Sequence, residues 1–163
     1  DGGRGNRIQG NLIGTDASGG SAVPNVGQGL EITGAPENVV GGTDPGARNV
    51  ISGNGGFGIW ISSSGSTGNL VQGNLIGTDV SGTAGLGNGG DGIRLLRGSN
   101  NTVGGMESGA GNVITRNGQG GVGLDDRPLA GFSVKLTRAA WPRPRCGGGL
   151  RASAPRVPPA RRR

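Results

Sequence analysis

The stretch Asn6-Arg-Ile-Gln-Gly-Asn-Leu-Ile-Gly-Thr-Asp16 returns as Asn69-Leu-Val-Gln-Gly-Asn-Leu-Ile-Gly-Thr-Asp79, an offset of 63 in the numbering of a 163-membered chain. Later landmarks hold that offset without a gap: Asn25 with Asn88, Gly29 with Gly92, Asn38 with Asn101, Asn49 with Asn112, Asn54 with Asn117 and Gly58 with Gly121. Over residues 6–63 set against 69–126, 26 of 58 positions are identical. Self-similarity at a fixed period of this length marks a stacked repeat, in which each unit buries its apolar face only against its neighbours.

Each unit divides in two. The segments Gly29-Leu-Glu-Ile32, Gly58-Ile-Trp-Ile61, Gly92-Ile-Arg-Leu95 and Gly121-Val-Gly-Leu124 mark four coils, whose starts are separated by steps of 29, 34 and 29 along the chain. Apolar and variable positions alternate within them, the period of a strand with one buried face. That predicts Ile59 and Ile61 inward and Trp60 outward. Short apolar runs at Asn38-Val-Val40, Asn49-Val-Ile51, Asn69-Leu-Val71, Asn74-Leu-Ile76, Asn101-Thr-Val103 and Asn112-Val-Ile114 raise the count to about three strands per coil. Glycine fills 36 of the first 126 positions, and at about 1 kcal/mol each relative to alanine that density excludes helix. Glycine pairs such as Gly41-Gly42, Gly55-Gly56 and Gly104-Gly105 suit the joints between strands.

Three short strands per coil, stacked about 4.8 Å apart, make an all-β parallel solenoid. Asparagines at coil-equivalent positions then line up. Asn38, Asn69 and Asn101 are expected to form one ladder and Asn49, Asn74 and Asn112 another, each amide bonding to the next coil and to the turn backbone. Leucine in place of Asn69 is expected to leave turn amides without partners, at about 1–3 kcal/mol. The motifs Asn-x-Val/Ile-x-Gly-Asn, Ile-Gly-Thr-Asp and Gly-Ile-x-Ile resemble the right-handed parallel β-helix repeats of the pectin-lyase-like superfamily, found in large bacterial secreted or surface proteins. The resemblance covers residues 6–126 and implies a right-handed helix of about four coils. It leaves activity open, because that solenoid carries lyases, hydrolases, adhesins and tailspikes alike.

Composition changes abruptly after Asp126. Residues 1–126, the repeat region, hold all 13 asparagines and all ten acids against six arginines, a formal charge of −4. Residues 127–163 hold nine arginines, one lysine and no acid, a formal charge of +10, with six of the nine prolines and the lone Cys146. Two readings of this tail stay open: a shifted reading frame, which would yield such an Arg/Pro/Ala/Gly mixture, and a genuine disordered basic segment. The second would bind nucleic acid in a salt-dependent way, with only Phe132 and Trp141 to stack on bases. The chain starts inside the repeat pattern and is read as a fragment. No stretch nears the roughly 20 apolar residues of a membrane span, and uncapped coils would allow end-to-end self-association.

The outward positions Glu31, Trp60, Arg94 and Gly123 fall in one row across the coils. A tryptophan between an acid and a base on a flat sheet suits a sugar ring, which stacks on the indole while the charged neighbours bond hydroxyls or carboxylates. The plain alternative is a Trp60 that only covers the sheet, with Glu31 and Arg94 solvated. Glu31, Trp60 and Arg94 are therefore the candidate carbohydrate-binding residues. Lyases of the resembled superfamily would gather several aspartates for calcium and a base on the outward face, a set this row lacks. The chain has no histidine, the commonest general base and metal ligand. Asp125 and Asp126, adjacent on a strand, would face opposite sides instead of forming the close carboxylate pair of a glycosidase.

Asp16 and Asp79 share one repeat position, Asp44 and Glu107 another. Turn formation is the expected role of these acids, with calcium held between coils as the alternative. Gly87-x-Gly89-x-x-Gly92 matches the dinucleotide fingerprint in form but opens no helix. No catalytic residue, metal or other cofactor is assigned. The expected function is a non-catalytic, adhesin-like β-helix scaffold, extracellular or on the cell surface, that contacts polysaccharide. The alternative is a piece of a polysaccharide lyase or glycoside hydrolase whose catalytic coils lie outside these residues.

Overall fold

The computed structural model describes residues 3–124 and the backbone of one further strand, Ser133–Val134. Asp125, Asp126, Phe132, Trp141, Cys146 and the rest of the basic tail lie outside the described residues. The chain winds as a parallel β-solenoid of about four turns, and each turn lays one strand in each of three sheets. The first sheet stacks β1 (Arg7–Ile8), β4 (Val39–Gly41), β7 (Leu70–Gln72), β10 (Thr102–Val103) and β13 (Ser133–Val134). The second stacks β2 (Leu12–Ile13), β5 (Val50–Ile51), β8 (Leu75–Ile76) and β11 (Val113–Ile114). The third stacks β3 (Leu30–Thr33), β6 (Ile59–Ser62), β9 (Ile93–Leu96) and β12 (Val122–Leu124). Among the described residues the only helical element is a 3-10 turn at Pro45–Ala47. Its start is capped by the Asp44 carboxylate, which accepts from the Gly46 amide at 2.7 Å.

On the third sheet the register advances in steps of 29, 34 and 29, the spacing of the four Gly-x-x-x segments: Leu30 to Ile59, Ile59 to Ile93, Ile93 to Val122. The other sheets keep different time. On the first the steps are 32, 31, 32 and 31, the last bringing Ser133 beside Thr102. On the second they are 38, 25 and 38. All three sum to 63 over two turns because the extra residues move from corner to corner. The first and third turns carry a long loop between the second and third sheets, and the second and fourth carry theirs between the first and second sheets.

Buried β-branched and leucine side chains fill the tube. Val40, Ile51, Ile59, Ile61, Val71, Ile76, Ile93 and Leu95 are fully enclosed, and Ile8, Ile13, Leu30, Ile114 and Val122 of the end turns pack against them half-buried. Trp60 points out between inward Ile59 and Ile61, as the alternation predicts. The second sheet departs from the one-buried-face expectation. Val50 and Leu75 face outward yet are only 3% and 2% exposed, and they lie outside the interior cluster. The long loop of the third turn covers Leu75, which reaches the backbone at Gly82, and Leu12 and Val80 close around Gly19. Val80 donates its amide to the Gly19 carbonyl at 3.0 Å, so the loop of the third turn rests on that of the first.

Each of these loops is pinned by its aspartate. Asp16 Oδ1 accepts from the amides of Gly20 and Ser21 at 3.0 and 3.3 Å, and Asp79 Oδ1 accepts from those of Thr83 and Ala84 at 2.9 and 3.0 Å. Both carboxylates thus point into their own turns, as turn formers do. The Ser18 hydroxyl, then the loop amides, lower the Asp16 pKa. For Asp79 the Ser81 hydroxyl leads, and the pKa falls to about 2. Because the folded value lies below the unfolded one near 3.9, ionised Asp79 stabilises the fold above about pH 4, and that contribution is lost as pH falls from about 4 toward 2. The urea midpoint of the wild type is therefore expected to drop across that window more steeply than that of Asp79→Asn. Parallel pH profiles for the two proteins would contradict the assignment.

Asparagine ladders run up all three corners. In the first, Asn6, Asn38 and Asn69 each donate from the backbone N and from Nδ2 to Oδ1 of the next member, ending on Asn101, at 2.9–3.0 Å. In the second, Asn11, Asn49 and Asn74 do the same toward Asn112 at 2.8–3.3 Å. The sequence reading names all but the first member of each, Asn6 and Asn11. The third ladder, Asn25–Asn54–Asn88–Asn117, it does not anticipate: Nδ2 of each donates to the next Oδ1 at 2.8–2.9 Å. Twelve of the 13 asparagines are thereby used, and Asn100 alone stands outside. A buried amide needs partners for both ends, and a column of identical amides supplies them turn after turn.

Candidate functional site

Parallel pairing in register turns sequence spacing into a surface grid. The third sheet aligns Glu31 with Trp60, Trp60 with Arg94, and Arg94 with Gly123, so the predicted outward row exists. Two residues further along each strand lies a second outward row, in which Thr33 and Ser62 are hydrogen bonded through their hydroxyls at 2.8 Å. Thr33 Oγ1 also lies 3.0 Å from Glu31 Oε1, to which it can donate. Three residues before the row come Gln28, Phe57, Asp91 and Gly120, equivalent to one another by the same steps from turn to turn. Sequence reasoning passes over this line. The repeat offset that defines the central row would also have found it.

Phe57 and Asp91 change the character of the site. The Phe57 ring meets Trp60 at a centroid distance of 6.2 Å and a tilt of 53°, a favourable aromatic geometry. It also lies against the bare backbone of Gly90. Asp91 is 5% exposed, and its Oδ2 accepts from Arg94 Nη1 at 3.1 Å. The pair occupies the space over Gly123, where even a methyl group would collide with Asp91 Oδ2 and come within 2.8 Å of Arg94 Nη1. The Arg94 side chain stays 35% exposed, with the remaining guanidinium N–H groups able to donate. Glu31 is exposed and carries no ion pair among the described residues.

Chemically, the grid offers one half-buried indole edged by a phenyl ring, an anchored guanidinium, a carboxylate and a pair of hydroxyls. The flat sheet beneath is held by backbone hydrogen bonds and the ladders. The two acids on it among the described residues, Glu31 and Asp91, stand two turns apart, about 10 Å along the stack at the usual strand spacing, and Asp91 is committed to Arg94. Among the described residues no three of His, Cys, Asp and Glu gather as a metal cluster. A cavity of about 360 Å³ opens at the first turn among Ile8, Leu30, Ile32 and Ala35 and reaches Glu31 and Thr33. Another, about 290 Å³, lies at the fourth turn between Ile114 and Gly121. The first borders the grid at Glu31 and Thr33, and Trp60 lines neither. No helix among the described residues is long and apolar enough to cross a membrane. Compared with protein-family models, curated proteins and solved structures, the chain has no match in any of the three.

Proposed function

We propose that the chain is a binding scaffold whose third-sheet face contacts polysaccharide, in the extracellular or cell-surface setting where such polymers occur, and that the solenoid turns described here do no bond-breaking chemistry. One observation carries the reading: Trp60 sits in register between Glu31 and Arg94 on a parallel sheet, half-buried and braced by Phe57. An indole held at a fixed angle stacks on a pyranose ring at little cost in lost side-chain motion. Neighbours one strand away on either side lie within reach of the ring's hydroxyls. The separation of the two acids, and the commitment of Asp91 to an ion pair, support binding over hydrolysis, which needs two cooperating carboxylates.

Trp60→Ala is expected to abolish the retardation of the protein in native gels containing the recognised polysaccharide while leaving its mobility in plain gels unchanged. Since the side chain points outward, the fold is expected to persist. Equal retardation of wild type and variant across a panel of polysaccharides would remove Trp60 from this role.

A further inference from the structure

We infer that the polysaccharide taken by this face is neutral, built of uncharged hexose units, and that uronate polymers are turned away. The inference rests on the binding role proposed above and adds the ligand class. An arginine beside an exposed tryptophan would ordinarily favour a carboxylated sugar, because the guanidinium fork matches a carboxylate. Here one nitrogen of that fork is already engaged, and the charge is matched by a carboxylate. Arg94 Nη1 donates to Asp91 Oδ2 at 3.1 Å, and the Asp91 side chain is 7% exposed against 35% for Arg94. A uronate competing for Arg94 would strip a buried carboxylate of its counter-charge, which is the costly way to break an ion pair. The pair is seated in the space that Gly123 leaves open, with Gly120 behind it, a methyl there lying 2.9 Å from Asp91 Oδ1.

The rest of the grid points the same way. With Arg94 and Asp91 cancelling, the charge left on it among the described residues is Glu31, at the adjoining position on the other side of Trp60. Arg97 is exposed on the corner beyond Leu96, outside the grid. Uncommitted N–H groups of Arg94 and the exposed Thr33 hydroxyl are suited to sugar hydroxyls, and Glu31 can accept from those hydroxyls. From Glu31 to Arg94 the row crosses two strand spacings, roughly 10 Å, room for about two pyranose units lying along the stack.

The test uses the full chain, whose basic tail will itself hold a polyanion, so dependence on Trp60 is the readout. Wild type and Trp60→Ala are run in native gels containing a neutral glucan or mannan, or polygalacturonate. The expected result is retardation by a neutral polymer that falls at least about tenfold in Trp60→Ala, with retardation by polygalacturonate the same in both proteins. As a readout that leaves the site intact, Trp141→Phe makes Trp60 the sole tryptophan. Its emission is expected to change saturably with neutral oligosaccharides and not with oligogalacturonates. Trp60-dependent retention or quenching by the uronate would overturn the neutral-ligand inference while leaving the binding role standing. Absence of Trp60-dependent binding to either polymer would overturn both.

Discussion

Leucine in place of Asn74 is expected to destabilise the protein by about 3–5 kcal/mol, as several buried groups lose their partners at about 1–3 kcal/mol each. Asn74 is completely enclosed. Its Nδ2 donates to Asn112 Oδ1 at 2.9 Å and to the carbonyls of Val40 and Gln72 at 3.0 Å, while its Oδ1 accepts from Nδ2 and the backbone N of Asn49 at 2.8 and 3.3 Å. Leucine shares the branching of asparagine but is bulkier and can make none of these bonds, so the Asn49 backbone N loses its Oδ1 acceptor and Asn49 Nδ2 keeps only the Ile8 carbonyl. Urea unfolding should show a lower midpoint with an unchanged slope. Asn100→Gly, at the exposed asparagine outside the ladders and at a φ of 56° that glycine also accepts, is expected to cost less than about 0.5 kcal/mol. Similar losses for the two substitutions would mean that the ladders do not hold the turns together.

Gly73→Ala should cost more than about 3 kcal/mol, from two sources. Its φ of 70° penalises any Cβ, by about 1–2 kcal/mol. The larger part is crowding, because a methyl there would drive into the Gly42 carbonyl oxygen of the preceding turn and stand 3.0 Å from that of Gly109 in the following one. Gly34→Ala isolates the first source. Gly34 has a φ of 62°, its nearest neighbour to a new methyl is Ser63 Oγ at 4.0 Å, and the equivalent corners already hold Ser63 at 78° and Arg97 at 65°. About 1 kcal/mol is expected for Gly34→Ala. If the two alanines prove equally costly, close approach between turns is not what Gly73 provides.

The three-strand turn was legible in the chain because glycine density removed helix and the apolar runs recurred at a constant offset. In-register parallel pairing then made Glu31, Trp60 and Arg94 neighbours by spacing alone. What escaped depended on features that linear spacing does not carry. The third ladder was hidden because Asn54 is followed by Gly55-Gly56 and not by an apolar pair, so the motif that exposed Asn49 and Asn74 is missing around it. The outward burial of Leu75 arises where a loop folds back over the sheet, and alternation within a strand cannot report that. The Asp91–Arg94 pair hinges on the missing side chain at Gly123, a position easily read as an empty place in the row. In the ladder series, position 132 holds phenylalanine, yet Ser133–Val134 enters the first sheet two turns after Leu70–Val71, at the same offset that relates the repeats. Backbone phase thus continues for one strand beyond the change in composition.

The migration of the long loops from one corner to another sets a rule for how a solenoid of this kind changes length. A chain shortened or extended by one whole repeat would keep every long loop above its counterpart, with contacts like that between Gly19 and Val80 restored at the new junction. One altered by a single turn would bring two long corners, or two short ones, into adjacent turns and break the alternation in which the loop of the third turn meets that of the first. Viable insertions and deletions are thus quantised in pairs of turns, and the heritable module of this architecture is the doublet.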